Sequence, residues 1–411
     1  MSVLGIIALD FHSPTAARDF EVDTIPFVRI AGVELITRQA LSLLKGGASQ
    51  VIVIPGKLED RVRQLMASDK RFHQQPITID TRCVDENIRA FKNTHAQTIV
   101  IGADILLSPQ FIDLTIQQTS AKRWSAENAL LMGPSAELTF DCDTISSHSP
   151  DENHPYILNI HSHKDCRDGK RAIFRNVTKT TSGWVSKNIN SLISLPISKL
   201  ISPLPITPNM VTFLNTLVGI ASAVFVAQGH TQGVLMGGIL FQLSAAFDRV
   251  DGEIARSKFQ SSKYGSWIDT AGDNITYIAF LIGLTVGCYK RFGNVNYLYA
   301  GFALIFIMLV MLAVMYRFLI RKGGSGSLVE VTTSVEKKMQ GQNKPFIYRS
   351  LDKIRFAGKR DFFSLVCMFV CMADQLLILF GCALAVIIGN IAYFTSAMIK
   401  HRKNISLAQQ S

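Results

Sequence analysis

The sequence predicts a soluble α/β domain followed by a multi-pass α-helical membrane domain, with six transmembrane helices plus an interfacial helix. Three observations carry that expectation. Hydrophobic residues make up 48% of the 411-residue chain and charged residues only 18%, against about 25% charged in a typical soluble domain. The apolar residues form short β-branched runs in the first half and long uncharged runs in the second. The length also exceeds what one hydrophobic core usually organises. The same composition excludes disorder, a collagen repeat and a secreted disulfide scaffold.

In the first half, Val3–Leu9, Gln50–Pro55 and Thr98–Gly102 read as buried strands. Val3–Leu9 has no basic region before it and no small-residue cleavage site after it, so it reads as a first strand and not a signal peptide. Val33–Leu44 has helical period, with Leu35, Ile36, Ala40, Leu43 and Leu44 on one face and Gly46-Gly47 to end it. Strand–helix alternation of this kind predicts a mostly parallel sheet covered by helices. From about Glu137 to Arg171 the pattern weakens into polar residues, read as last strands and a linker, with His161 and His163 exposed. The predicted boundaries are 1–170 for the soluble domain, 171–205 for linker and interfacial helix, 206–403 for the membrane domain and 404–411 for a tail.

In Trp184–Leu204, Val185, Ile189, Leu192, Ile193, Ile197, Leu200 and Ile201 recur near helical period beside Lys187 and Lys199. That pattern suits a helix lying on a membrane with Trp184 at headgroup level, and Pro196 predicts that it does so in two pieces. An ordinary connecting helix is the alternative. Uncharged runs then follow at Met210–Gly229, Thr231–Phe247, Asn274–Tyr289, Gly293–Tyr316, Phe362–Ala373 and Gln375–Ile399. A span needs roughly 20 apolar residues, so the fifth qualifies only if it continues through Asp374.

The net charge of +11 calls for an anionic partner. The basic residues flank the apolar runs, at 164–199, Arg256, Lys258, Lys263, 321–360 and Lys400–Lys403. They point to lipid or a phosphorylated substrate, not nucleic acid. By the positive-inside rule both termini and the acidic junction face the cytoplasm. Seven scattered cysteines without zinc-ligand spacing agree with that reducing side.

The chemistry lies between the second and third runs. Asp248 and Asp251 are three residues apart and Asp269 and Asp273 four apart, so each pair shares a helix face. A short connector makes the two helices antiparallel neighbours. Four converging carboxylates demand cations, and hard oxygen donors suit a pair of Mg²⁺ or Mn²⁺ ions bridging substrate phosphates. Gly252 and Gly265 leave the backbone open to a substrate, and Ala255 keeps that face low. Solvated loop acids, or an ion-coupled transporter, are the competing readings; the transporter is disfavoured because the acids cluster at one boundary and no repeat is visible.

The arrangement D-x2-D-G-x2-A-R-x8-G-x3-D-x3-D, from Asp248 to Asp273, resembles the signature of the CDP-alcohol phosphatidyltransferase family at every fixed position. The resemblance covers about 182–403. It implies an interfacial helix and six membrane helices. It also implies transfer of a phosphoalcohol group from a CDP-alcohol to an acceptor hydroxyl with release of CMP. By it, Asp248, Asp251, Asp269 and Asp273 ligate metal, Asp273 is also the general base, and Gly252, Ala255, Arg256 and Gly265 line the CDP site. Asn209 and Thr212, in Thr207-Pro208-Asn209-Met-Val-Thr212, either approach the nucleotide or belong to a simple helix cap. Arg317 and Arg360 either hold an acceptor phosphate or anchor the protein at the membrane surface. A homodimer is a further family-level expectation.

Pro26–Leu44 with strand Gln50–Pro55, and Thr98–Asp104, resemble the sugar-nucleotidyltransferase fold, in which an aspartate at the position of Asp104 holds metal. Together the halves resemble the bifunctional inositol-phosphate cytidylyltransferase and di-myo-inositol phosphate phosphate synthase family. Ala8–Arg18, however, lacks the glycine-rich phosphate loop, Asp10 puts a negative charge there, and Arg29 stands where that family has lysine. The expectation is a degenerate first domain, left as a nucleotide-binding remnant or docking module, with Asp104 either a ligand or a loop acid. For the membrane domain, a polyol or polyol-phosphate substrate is the first reading. A phospholipid synthase using CDP-diacylglycerol is the second, and a catalytically silent scaffold the third.

Overall fold

The computed structural model describes residues 2–10, 19–73, 75–91, 94–117, 124–125, 130–134, 146–147, 156–177, 184–322, 360–385 and 387. The chain forms two compact units: 1–178 with 199–205 and 256–260, and 179–198 with 206–255 and 261–411.

In the first unit, strand Val3–Ala8 lies at the centre of a five-stranded sheet, parallel to Gln50–Ile54 on one side and Gln97–Gly102 on the other. All six of its residues are buried, as expected of a parallel strand covered on both faces. Ile77–Ile79 extends the sheet in parallel, and Leu130–Pro134 closes the other edge antiparallel. Helices α1 (Leu35–Lys45), α2 (Glu59–Ser68), α3 (Val84–Phe91) and α4 (Pro109–Gln117) intervene. The apolar face read from the sequence puts Ile36, Ala40 and Leu43 into the core with Ile7, Val53 and Ile101.

The polar stretch after 137 holds more structure than a linker. Among its described residues, Ile157–Asn159 pairs antiparallel with Ile105–Leu107, and α5 spans His163–Asn176. Ser162 and Asp165 cap α5 reciprocally, satisfying backbone donors that the helix itself cannot. The first unit also contains the connector residues 256–260. Within it, Phe259, at φ 57°, lies against Lys45 Nζ at 4.8 Å and the Arg38 guanidinium at 5.8 Å. Arg71 Nη1 donates to the Lys258 carbonyl (3.1 Å), and Lys258 Nζ to that of Leu204 (2.7 Å).

The second unit is helical. A π-helical turn (Ser186–Asn190) runs directly into α6 (Ser191–Ile201), which carries Pro196 inside it. The expected break into two pieces at Pro196 is therefore absent. Four helices among the described residues are long and apolar enough to cross a membrane. They are α7 (Pro208–Val226), α8 (Thr231–Ser257), α9 (Lys263–Phe292) and α10 (Asn296–Lys322). Helices α7 and α9 approach until backbones touch: a Cβ on Gly283 would lie 2.3 Å from the Ala223 carbonyl oxygen. Small residues permit that spacing where lipid offers no hydrophobic drive to pack helices.

The fifth apolar run does not continue through Asp374. Helix α11 (Arg360–Met372) stops after 13 residues, about 20 Å at the usual rise per residue, and α12 (Leu376–Ala385) follows. Asp374 sits at φ 56° in the turn between them. Its carboxylate takes two hydrogen bonds of 2.5 Å from Arg291 and one of 2.9 Å from Thr231 Oγ1. Residues 388–399 of the predicted sixth span lie outside the described residues.

The Arg291 hydrogen bonds hold the Asp374 carboxyl down at about 2. A depressed acid stabilises the fold above its unfolded pKa of about 3.9 and ceases to as pH falls through the folded value. Asp374→Asn is therefore expected to lower the melting temperature of the detergent-purified protein at pH 7. The gap from the parent should close as pH approaches about 2; a gap independent of pH would show that the charge is not what matters.

Candidate active site

The last turns of α8 carry Asp248 and Asp251, and the first turns of α9 carry Asp269 and Asp273. Ser262 starts α9 by accepting the Gly265 N–H (2.9 Å) on its side chain, so the connector ends in a helix cap. One carboxylate oxygen each from Asp248, Asp269 and Asp273 lies within 4.8 Å of the others, and all three residues are half-buried. Octahedral Mg²⁺ at 2.0–2.1 Å from its ligands spans about 4 Å between opposite oxygens. The three side chains therefore fit a hard divalent ion after small rotations, and the all-oxygen donor set disfavours a soft one.

Asp251 behaves differently from the other three. It is buried, and its Oδ2 accepts the Thr212 hydroxyl at 2.5 Å. The structure thus brings three of the four predicted carboxylates together and turns the fourth toward α7. Thr212, expected either beside the nucleotide or in a simple helix cap, donates its hydroxyl to that acid. Its methyl also lies 3.4 Å from where a Cβ on Gly272 would stand, so Thr212 packs against both α8 and α9.

Asn209 is exposed at the start of α7, two residues after the N-cap Thr207. Its Oδ1 lies 3.5 Å from the position of a Cβ on Gly265. Those two predicted CDP contacts are therefore neighbours. Gly252 and Ala255 are half-buried on α8. Arg256 donates Nε to the Val177 carbonyl at 2.6 Å. Arg317 is exposed near the end of α10. Arg360 opens α11, and its side chain lies outside the described residues.

In the first unit, His161 is not an exposed linker residue. It is buried, and its Nε2 lies 2.7 Å from Oδ2 of Asp104, which is wholly buried. Strand pairing brings them together, since Ile157–Asn159 runs beside Ile105–Leu107 and Ile160 N–H bonds the Asp104 carbonyl (2.8 Å). Asp104 thus stands in the turn between Gln97–Gly102 and Ile105–Leu107 as a buried acid, not a solvated one. Asp10 presses its carboxylate on Gly56, where a Cβ would meet Oδ1 at 1.9 Å. Arg29 pairs with Glu34 at 2.7 Å.

Apolar helices whose ends gather carboxylates define a membrane protein with an acidic site at a helix junction. Residues 205–398 match the CDP-alcohol phosphatidyltransferase family, as the signature implied. Similar proteins include the bifunctional IPC transferase and DIPP synthase of Aquifex aeolicus, 30% identical over 32% of this chain and 30% of that one. The protein of the same name from Thermococcus kodakarensis is 34% identical over 29% and 26%. That from Archaeoglobus fulgidus is 25% identical over 67% of each chain. The chain thus spans about a third or less of the first two relatives and two thirds of the third.

Replacing one of the three converging carboxylates should weaken ion binding without unfolding two helices. Asp269→Asn is expected to weaken Mn²⁺ affinity, read by electron paramagnetic resonance on the full chain, by at least about tenfold. Its melting curve without metal should stay at or above that of the parent, because removing one carboxylate relieves repulsion. Undiminished affinity would take Asp269 out of the ligand set.

Proposed function

We propose that the chain is a metal-dependent membrane phosphotransferase that moves a phosphoalcohol group from a CDP-alcohol to an acceptor hydroxyl and releases CMP. Its substrates are of the inositol-phosphate type. The observation that carries this is the convergence of Asp248, Asp269 and Asp273 within the matched domain. The substrate class is supported by relatives named IPC transferase and DIPP synthase and by one named archaetidylinositol phosphate synthase.

In this reading Asp248, Asp269 and Asp273 hold divalent ions, Mg²⁺ or Mn²⁺, and Asp251 joins them on leaving Thr212, giving four carboxylates for a pair of ions. When bound, the ions spread the charge of the pyrophosphate and favour CMP as the leaving group. The acceptor oxygen attacks the phosphorus that bears the alcohol, the bond from that phosphorus to the bridging oxygen breaks, and CMP departs with that oxygen. Asp273 takes the hydroxyl proton. Asn209, Thr212, Gly252, Ala255, Arg256 and Gly265 make up the nucleotide side, with the Asn209–Gly265 proximity in support. Arg317 and Arg360 serve an acceptor phosphate. The fifth and sixth spans include α11 and α12, which the turn at Asp374 separates. Both termini and the site face the cytoplasm, where the basic segments lie. The working form is a homodimer in a lipid bilayer, and nucleic acid plays no part.

We further infer that the first domain is catalytically degenerate. Asp104, the residue that resembles a metal ligand, is engaged by His161 (2.7 Å), and Asp10 puts negative charge where phosphates would lie.

Purified full-chain protein with Mg²⁺, labelled CDP-inositol or CDP-diacylglycerol and a polyol or polyol phosphate tests the main reading by release of CMP. Release is expected with CDP-inositol; release only with CDP-diacylglycerol would make the protein a phospholipid synthase, and none with either would remove the enzyme reading. Asp273→Asn should lower turnover by roughly 10²–10⁴-fold while donor binding persists. Supplied with CTP and inositol phosphate, the protein should form no pyrophosphate; formation would restore the first domain as an enzyme.

A further inference from the structure

Helix α6 and the turn before it are built inside out. Ser186, Asn190, Ser194 and Ser198 recur every fourth residue and are all buried, while Leu192 and Leu200 are each 74% exposed. A stripe of small polar residues facing inward needs polar partners, and α8 supplies them. Ser194 and Ser198 donate to the two carboxylate oxygens of Glu253, at 2.9 and 2.7 Å. Arg249 donates Nε to Ser194 Oγ (3.1 Å), Nη1 to Ser186 Oγ and Nη2 to Glu253 Oε1 (3.2 Å). Gln242 donates to Asn190 Oδ1 (2.9 Å), and Asn190 in turn to Asp361 Oδ1 on α11 (3.0 Å). The Glu253 side chain is 0% exposed and that of Arg249 9%.

A buried ion pair is weak evidence for stability, because desolvation offsets most of the Coulomb gain; specifying one arrangement is its better-attested use. What this pair specifies follows from helical phase. Gln242, Arg249 and Glu253 are seven and four residues apart and form one stripe of α8. Asp248, Asp251, Gly252 and Ala255 form a second stripe, about 80–180° round the helix from the first at 3.6 residues per turn. Turning α8 to swing Asp248 away from Asp269 and Asp273 would drag Glu253 off both serines.

We propose that Arg249 and Glu253 are positioning residues: by clamping α8 to α6 they fix the rotation at which Asp248 faces the carboxylates of α9 and Asp251 faces Thr212. This rests on the metal-site reading given under Proposed function. Neither residue is among the fixed positions of the signature, and neither touches the converging oxygens.

The test compares Glu253→Ala, Glu253→Gln and the double variant Ser194→Ala/Ser198→Ala as full-chain protein in detergent, below their melting temperatures. The readouts are Mn²⁺ affinity by electron paramagnetic resonance, and kcat and KM for CMP release. Glu253→Ala and the serine double variant are expected to bind Mn²⁺ about 10–100-fold more weakly, with kcat falling and donor KM little changed. Glu253→Gln, whose amide can still bond both serines, should recover most of the affinity. A purely structural clamp would lower melting temperatures and leave Mn²⁺ affinity of the folded protein at the parental value; that result overturns the proposal. If Glu253→Ala does not fold, the serine variant decides alone. Parent protein that binds no Mn²⁺ overturns this proposal together with the site, whereas parent that binds Mn²⁺ but releases no CMP overturns only the function.

Discussion

Like charges crowded at the junction of two apolar helices set the terms for the rest of this molecule. The oxygens of Asp248, Asp269 and Asp273 come within 4.8 Å of one another, and each such pair repels by about 3 kcal/mol at an effective dielectric of about 20. Side chains on mobile elements would simply swing apart. Here each carboxylate is mounted on a helix that is itself held. Helix α9 is fitted backbone-to-backbone against α7 through Gly283 and Gly287, each with a carbonyl oxygen 2.3 Å from where a Cβ would stand. Helix α8 is tied through Arg249 and Glu253 to the serines of α6. The repulsion is thereby stored as a ready demand for a divalent ion.

Asp251 shows the same principle in another form. Its Oδ2 takes the Thr212 hydroxyl at 2.5 Å, so a neutral donor answers the fourth charge. The same hydrogen bond ties the first turns of α7 to the acidic end of α8.

The second unit inverts the usual distribution of polarity. Phe213, Phe302 and Phe306 are more than half exposed, whereas Ser194, Ser198, Ser222 and Glu253 are wholly buried. That is the pattern of a protein solvated by hydrocarbon, in which a hydrogen bond made inside replaces one that lipid cannot offer. The first unit keeps the ordinary pattern, with Val3, Ile7, Val53 and Ile101 in a dry core. There Asp104 is wholly buried, with His161 Nε2 2.7 Å from its Oδ2.

Local patterns were readable before any coordinates. The strands at Val3, Gln50 and Thr98 begin and end within one residue of expectation, because β-branched runs bounded by polar residues leave few options. Spacings of three and four put each aspartate pair on one helix face, which is a property of 3.6 residues per turn. Ser162-x-x-Asp165 is also a capping-box pattern that marks the start of α5 amid polar neighbours. Other features depend on which elements become neighbours. Asp104 meets His161 57 residues on, Thr212 meets Asp251 39 on, and Ser198 meets Glu253 55 on. No periodicity encodes such meetings, since a residue's own helix or strand decides its face but only packing decides what stands opposite. The sequence by itself determined the elements, the apolar spans and the acids at their ends; the tertiary structure alone decided that three acids converge, that one is turned to a threonine, and that a rung of serines holds the helix carrying them.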